Sequence, residues 1–327
     1  MFAANNRRFI ARNKIKILDQ KQGANWIAYH GDAAEVIRGI PDNSIHYQIF
    51  SPPFSNLFCY SASVRDMGNS TDKEFYNHFQ YIVPHMFRVC MPGRLLSFHC
   101  SDIPAMKERD GYMGLKDFPA YLRELFEDVG FIYHSKVVIE KDPLIEATRT
   151  KSLGLAHKQI SKDAARCRQG LPDYIITMAK PGVNPEPVAK GRGFETYIGS
   201  NPEPRMKKSD IHGENKYSHH VWQRYANPIW RDINQTDTLN VKLARERNDE
   251  RHICPLQKDV IARCVELWTN PGDIVASWFG GIGSEGYQAV KMGRKAVLCE
   301  LKKSYFNVLV SNLIQAEKTK QMGLLRK

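Results

Sequence analysis

The chain has 327 residues, is 42% hydrophobic, and carries 47 Lys+Arg against 35 Asp+Glu, for a formal charge of +12 and a pI near 9.3. That apolar content supports one large packed domain or two modest ones, and the basic excess favours a polyanionic partner, nucleic acid before an anionic membrane surface. No apolar run approaches the ~20 residues that span a bilayer; the seven cysteines (59, 90, 100, 167, 254, 264, 299) form no C-x-x-C pair and no H-E-x-x-H occurs, which argues against a zinc site and for reduced thiols in a cytoplasmic protein.

The opening "MFAANNRRFIARNKIKIL" is basic and nearly acid-free. It reads as an arm for a nucleic-acid backbone, with an organelle presequence as the competing reading. Further on, "IHYQIF" (45–50) predicts a strand ended by Pro52 and Pro53. Residues 74–91 have helical spacing, stopped by Pro92-Gly93, and "RLLSFHC" (94–100) predicts the next strand. Residues 117–130 predict a helix capped by Gly130, followed by strands over 131–140 and 173–180. The alternation breaks between about 183 and 250, where Pro, Gly, Asn and charge dominate. It returns with a helix over 252–268, a strand over 273–279, a glycine loop with a helix, and a strand over 295–301. Strand–helix alternation of this kind predicts a mainly parallel, doubly wound α/β sheet with an inserted, irregular module.

"FGGIGSEG" (279–286) lies between a strand and a helix, and residues 281–286 spell G-x-G-x-x-G. Glycines there allow a sharp turn and a close ligand approach, and Glu300, at the end of the next strand, is placed to accept bonds from ribose hydroxyls. A nicotinamide domain starting here would need several further strand–helix units, yet only about 40 residues follow the loop. Earlier strands must therefore complete the sheet, a permuted order that suits S-adenosyl-L-methionine (AdoMet) better. Phe279, Gly280, Gly281, Gly283 and Ser284 then line the cofactor.

The corner "SPPF" (51–54) has matching chemistry. The exocyclic nitrogens of adenine and cytosine are poor nucleophiles, and acceptors that bond the amino group stabilise the transition state. Ser51 offers a side-chain oxygen, Pro52 a carbonyl that Pro53 helps to fix, and Phe54 a face for the base to stack on. The base must first leave the duplex. No strong general base and no covalent thiol is called for by this reading.

These motifs resemble the DNA amino-methyltransferases in the permuted order of the beta class, and the resemblance covers nearly the whole chain. It implies the AdoMet-dependent methyltransferase fold, with residues 1–182 as the first part of the catalytic domain, 183–251 as a target-recognition module and 252–327 as the AdoMet-binding part. "GDAAEVIRGIPDNSIHYQIFSPPF" is similar to the family's opening block, which puts Asp32 near the adenine of AdoMet. "HICPLQKDVIARCVELWTNPGDIVASWFGGIGSEG" is similar to the methionine-binding helix and loop, which adds Cys254, Leu256 and Ser277 as cofactor contacts. Here Ser277 and Trp278 stand where the family usually has aspartate and proline. "SPPFSNLFCYSASVRDMGN" further resembles phage and prophage orphan enzymes. That likeness favours adenine N6, while a serine opening the corner is more typical of cytosine N4 enzymes.

Double-stranded DNA is the expected partner. Arg149, Lys151, Lys158, Lys162, Arg166 and Arg168 form a basic stretch suited to phosphates, and Arg192, His219, Gln223 and Arg224 are residue types that reach base edges. The resemblance also implies a homodimer and a bacterial or phage-encoded enzyme, while the missing ligand motifs and the scattered thiols predict no metal and a cytoplasmic setting. The competing readings are an RNA substrate, a nicotinamide-dependent dehydrogenase, and a non-catalytic DNA-binding protein.

Overall fold

The computed structural model describes residues 15–53, 72–150, 155, 157–200, 216–239 and 255–325. In chain order the elements are β1 (Ile17–Gln22), β2 (Trp26–Gly31), α1 (Ala33–Arg38), β3 (Ile45–Phe50), α2 (Asp72–Phe79), α3 (Val83–Val89) and β4 (Cys90–Cys100). A small hairpin of β5 (Ile103–Ala105) and β6 (Gly114–Lys116) encloses α4 (Lys107–Asp110), and α5 (Phe118–Asp128), β7 (Ile132–Ile139), α6 (Pro143–Thr150) and β8 (Asp173–Ala179) follow. Last come α7 (Lys216–Tyr225), β9 (Ile229–Trp230), α8 (Lys258–Trp268), β10 (Ile274–Ser277), α9 (Ser284–Lys291), β11 (Lys295–Glu300) and α10 (Lys303–Leu325).

Nine strands form one sheet in the order β1-β2-β11-β10-β3-β4-β8-β7-β9. The central run from β2 to β4 is parallel, and β8 runs antiparallel between β4 and β7. The late strands β10 and β11 slot between β2 and β3, which is the permuted completion that the short tail after the glycine loop requires. Adjacent side chains of β3 serve opposite faces: Ile49 joins a core with Ile261, Val265 and Leu313, and Phe50 one with Phe75, Phe79 and Phe126. Buried on both sides, such strands read as near-continuous apolar runs.

Several predicted boundaries move. The helix expected over 74–91 is two helices, because Pro84 has no N–H to continue the first and instead fits the opening turn of α3. β4 starts at Cys90 rather than 94, and Pro92-Gly93 lies inside it. Ile45 pairs with Cys90 but Tyr47 with Leu95, so a bulge absorbs the extra residues. Gly93 supplies a φ of 68° there, and its N–H donates to the Lys180 carbonyl at 3.0 Å. The helix expected from 252 is described from Lys258, with Gln257 as its extended N-cap residue; 252–254 lie outside the described residues. Within the stretch expected to be irregular, α7 is a regular helix, burying Tyr217, Val221 and Tyr225 against Phe194, Tyr197 and Ile198. That i, i+4, i+8 stripe was present in the sequence.

The sheet order reverses between β10 and β3. The chain leaves β10 towards β11 on one side and β3 towards β4 on the other, opening a crevice at their carboxyl ends, where open α/β sheets bind ligands. The glycine loop follows β10 and the Ser51-Pro52-Pro53 corner follows β3, so the two motifs face the same crevice.

Candidate active site

On the β10 side, the loop is shaped by close approach. A Cβ on Gly280 would stand 2.9 Å from Leu309 Cδ1, and one on Gly286 2.5 Å from Leu298 Cδ1, so these glycines let the loop and α9 settle on β11 and α10. Gly281 differs: its φ is 52°, and a Cβ there would meet nothing within 4 Å. Glu300 holds the loop, its Oε2 accepting from the Gly281 N–H at 2.7 Å and its Oε1 from the Lys302 N–H at 2.7 Å. Asp32 N-caps α1, its Oδ1 accepting from the Ala34 N–H at 2.9 Å. A carboxylate has about four lone-pair sites, so these backbone bonds do not exhaust what either acid can offer a nucleoside.

The departures at 277 and 278 now have a structural reading. Trp278 is buried, and its indole N–H donates to Gln48 Oε1 at 2.7 Å, while Gln48 Nε2 donates to the Met86 carbonyl at 2.9 Å. It thereby ties β10 to β3 and α3. Ser277 is 1% exposed, and its Oγ has no hydrogen-bond partner among the described residues. An unsatisfied buried hydroxyl at the mouth of a glycine loop fits a polar ligand group. Leu256 is buried just before α8. Ser284 and Glu285 are buried in the first turn of α9, where desolvation pushes the Glu285 carboxyl up to about 8.

Phe279 connects the two halves of the crevice. Its ring centroid lies 5.7 Å from that of Phe50, at the end of β3, and 6.0 Å from that of Phe79. Directly after Phe50, Ser51 Oγ sits 3.1 Å from His99 Nδ1. His99 Nε2 in turn lies 3.0 Å from Asp173 Oδ2, a close contact that is bent rather than linear, and Lys141 Nζ is 2.5 Å from that same oxygen. Register explains the meeting. Phe50 pairs with Phe98, so Ser51 and His99 are adjacent on one face; His99 pairs with Ile175, so Asp173 is its diagonal neighbour on that face. Burial pushes the Asp173 carboxyl up, but His99 and Lys141 outweigh it and hold it below its ordinary value. Neither His99 nor Asp173 was singled out from sequence. Pro52 is buried and Pro53 half-buried; Phe54 and Cys254 lie outside the described residues.

The expected DNA-facing residues divide. Lys158, Lys162 and Arg166 are exposed, although Arg166 also pairs with Asp163 at 3.3 Å. Arg168 is committed to Glu146 at 2.9 Å, and Arg192 lies 3.5 Å from the buried Glu266. His219 and Gln223 are exposed on α7 together with Trp222, whose ring is 5.6 Å from that of His219. Arg224 lies over the Tyr197 ring at 5.1 Å. Lys151 lies outside the described residues, and only the backbone of Arg149 is described. Tyr225 and Trp230 are buried and flank Arg263, which donates to both oxygens of Asp232 and anchors this segment to α8.

At the amino ends of β3 and β10, away from the crevice, His46, Glu186 and Asp273 bring their ligand atoms within 4.8 Å of one another. Arg94 Nη1 is 3.0 Å from Asp273, so the cluster already contains its own cation.

A glycine loop, an acid on the next strand and a serine–proline corner thus meet at one topological switch point, the place where open α/β sheets bind ligands. The chain belongs to the N6_N4_Mtase family of DNA methylases, whose model matches residues 45–311. Over 56 residues it is 36% identical to the type II methyltransferase M1.MboII of Moraxella bovis; this match spans 17% of the chain and 22% of that relative. The fold is similar to a putative DNA modification methylase from Thermus thermophilus solved with S-adenosyl-L-methionine (TM-score 0.59, 18% identity, 90% of this chain and 96% of that one). It is also similar to the cytosine-N4-specific PvuII DNA methyltransferase (TM-score 0.57, 14% identity, 94% and 97%).

Proposed function

We propose that the protein transfers a methyl group from AdoMet to the exocyclic amino group of a base flipped out of double-stranded DNA, with adenine N6 as the first choice and cytosine N4 as the alternative. The observation that carries this reading is the meeting of glycine loop and Ser51 corner at one switch point, bridged by Phe279 against Phe50. Bound AdoMet supplies an electrophilic methyl on a sulfonium. The chain's residues do the rest. Glu300 and Asp32 offer carboxylate oxygens to the nucleoside, and the buried Ser277 Oγ and the half-buried backbone of Gly281 face the amino-acid end. Leu256 and Phe279 pack alongside.

Ser51 Oγ and the Pro52 carbonyl accept from the amino group of the base, which favours a pyramidal nitrogen as the new bond forms. Residues 183–251 act as the target-recognition module, with the exposed face of α7 directed to the bases, and Lys158, Lys162 and Arg166 contact phosphates. The arm over residues 1–16, of which 1–14 lie outside the described residues, adds phosphate contacts. The protein works as a cytoplasmic homodimer, and a two-fold assembly suits a palindromic site. Adenine rests on the resemblance carried by "SPPFSNLFCYSASVRDMGN", cytosine on the serine that opens it.

The test is to incubate the protein with AdoMet and unmethylated duplex DNA, digest to nucleosides and identify the product by mass spectrometry. N6-methyladenine is expected. N4-methylcytosine would transfer the reading to the alternative base, and the absence of any methylated nucleoside would overturn it.

A further inference from the structure

We infer that Ser51, His99 and Asp173 form a proton relay that makes the corner an acceptor-only contact for the target amino group and removes its proton after methylation. This deepens the proposed function and rests on it. The direction of the relay follows from its far end. Asp173 is 4% exposed and has Lys141 against its carboxylate, so this pair is already neutral. The Asp173 carboxylate oxygen 3.0 Å away would repel a bare ring lone pair, so a neutral imidazole carries its proton on Nε2 and leaves Nδ1 an acceptor. Ser51 must donate its hydroxyl proton to Nδ1, so both Oγ lone pairs are left for the substrate. A hydroxyl held this way bonds an NH2 group and has no proton to offer a keto oxygen. The same arrangement therefore selects the amino-bearing bases over the keto-bearing edges of thymine and guanine.

The step balances without any further reactant. As the nitrogen–methyl bond forms and the methyl–sulfur bond breaks, the base nitrogen takes on positive charge. One of its protons passes to Ser51 Oγ while the Ser51 hydroxyl proton passes to His99 Nδ1. The charge thus moves from the base to an imidazolium facing Asp173. His99 is 8% exposed and returns the proton to solvent once the product leaves. The charged groups that act on the Asp173 carboxylate are His99 and Lys141, whereas Lys136, Asp102 and Asp117 gather around Cys100 on the other face of the sheet, where the Tyr174 hydroxyl donates to Asp102 at 3.2 Å. None of these is placed between Ser51 and His99. Sequence reasoning called for no base here; the tertiary structure supplies one through residues 48 and 122 positions downstream of Ser51.

Three measurements test the relay. In single-turnover methylation the wild-type rate should fall on the acid side, as a protonated imidazole can no longer accept. His99→Gln should lose that acid limb and drop about 10²-fold at the plateau, with AdoMet binding by calorimetry unchanged. Asp173→Asn should keep the limb on a lower plateau. In the free protein, 15N-histidine NMR should show His99 as the Nε2–H tautomer, with an Nδ1 resonance that moves in Ser51→Ala. A His99→Gln enzyme with an unchanged limb and a rate within threefold of wild type would overturn the relay, as would an Nδ1–H tautomer. If His99→Gln does not fold, Asp173→Asn and the NMR measurement decide. Wild-type protein that methylates no DNA would instead sink the proposed function, and the tautomer would still judge the relay.

Discussion

The two sides of the crevice are built differently. The β10 side is made from neighbours in sequence: Ser277 to Gly286 and Glu300 form strand end, loop, helix start and anchoring acid within a single β–α–β unit. The β3 side takes Ser51, His99, Lys141 and Asp173 from four separate segments and joins them only through the pairing of β3, β4, β8 and β7. Local geometry thus makes the half proposed to hold the cofactor, and sheet register makes the half proposed to hold the base. Damage to the first should appear in AdoMet affinity and stability, damage to the second in the rate of transfer.

The largest effect that would separate the two is Ser51→Ala, expected to slow methyl transfer by about 10²–10³-fold. Calorimetry should find AdoMet affinity within twofold of wild type; a matching loss of affinity would mean that the two halves are not separable. Next comes Glu285. Its folded carboxyl, raised by burial to about 8, binds a proton that the unfolded chain releases near 4.5. The stability it contributes is therefore complete below the unfolded value and lost as pH rises through about 8. Glu285→Gln should remove this dependence and be more stable than wild type above that pH, by on the order of a few kcal/mol. A melting curve across pH checks the sign, and AdoMet titration reveals whether the cofactor relieves the same burial.

A smaller loss is expected for Gly286→Ala, because the new methyl would stand 2.5 Å from Leu298 Cδ1. Denaturant unfolding should show a cost of about 1–3 kcal/mol. Gly281→Ala isolates the other glycine role: it has room for a methyl but keeps a φ of 52°, so roughly 1 kcal/mol of strain is expected. Its AdoMet affinity should fall more than its stability, the reverse of Gly286→Ala. The smallest effects lie on the DNA side. Lys162→Ala and Arg166→Ala should each reduce the salt slope of DNA binding by about 1 and leave the sequence preference unchanged. Arg168→Ala should behave differently and destabilise the fold, because Arg168 is already committed to Glu146.

The glycine loop, the acid on the following strand, the serine–proline corner and the permuted parallel sheet were all legible in the sequence, because each depends on residues close in the chain or on strand periodicity. Pro84 and the Cys90–Leu95 bulge were not legible: a proline can open a helix as readily as stop one, and only pairing with Ile45 and Tyr47 shows that the strand starts early. Nor could charge alone show that Arg168 and Arg192 spend their guanidinium groups on Glu146 and Glu266 while Lys162 faces solvent. The His99–Asp173 pair is the clearest case. Nothing in "SFHC" or "PDYIIT" marks a relay, because the contact arises from the diagonal neighbours of an antiparallel ladder beside a parallel one. Sequence by itself determined which chemistry the crevice could host. Tertiary structure decided which side chains stand behind Ser51, since register, unlike loop geometry, exists only once the strands have paired.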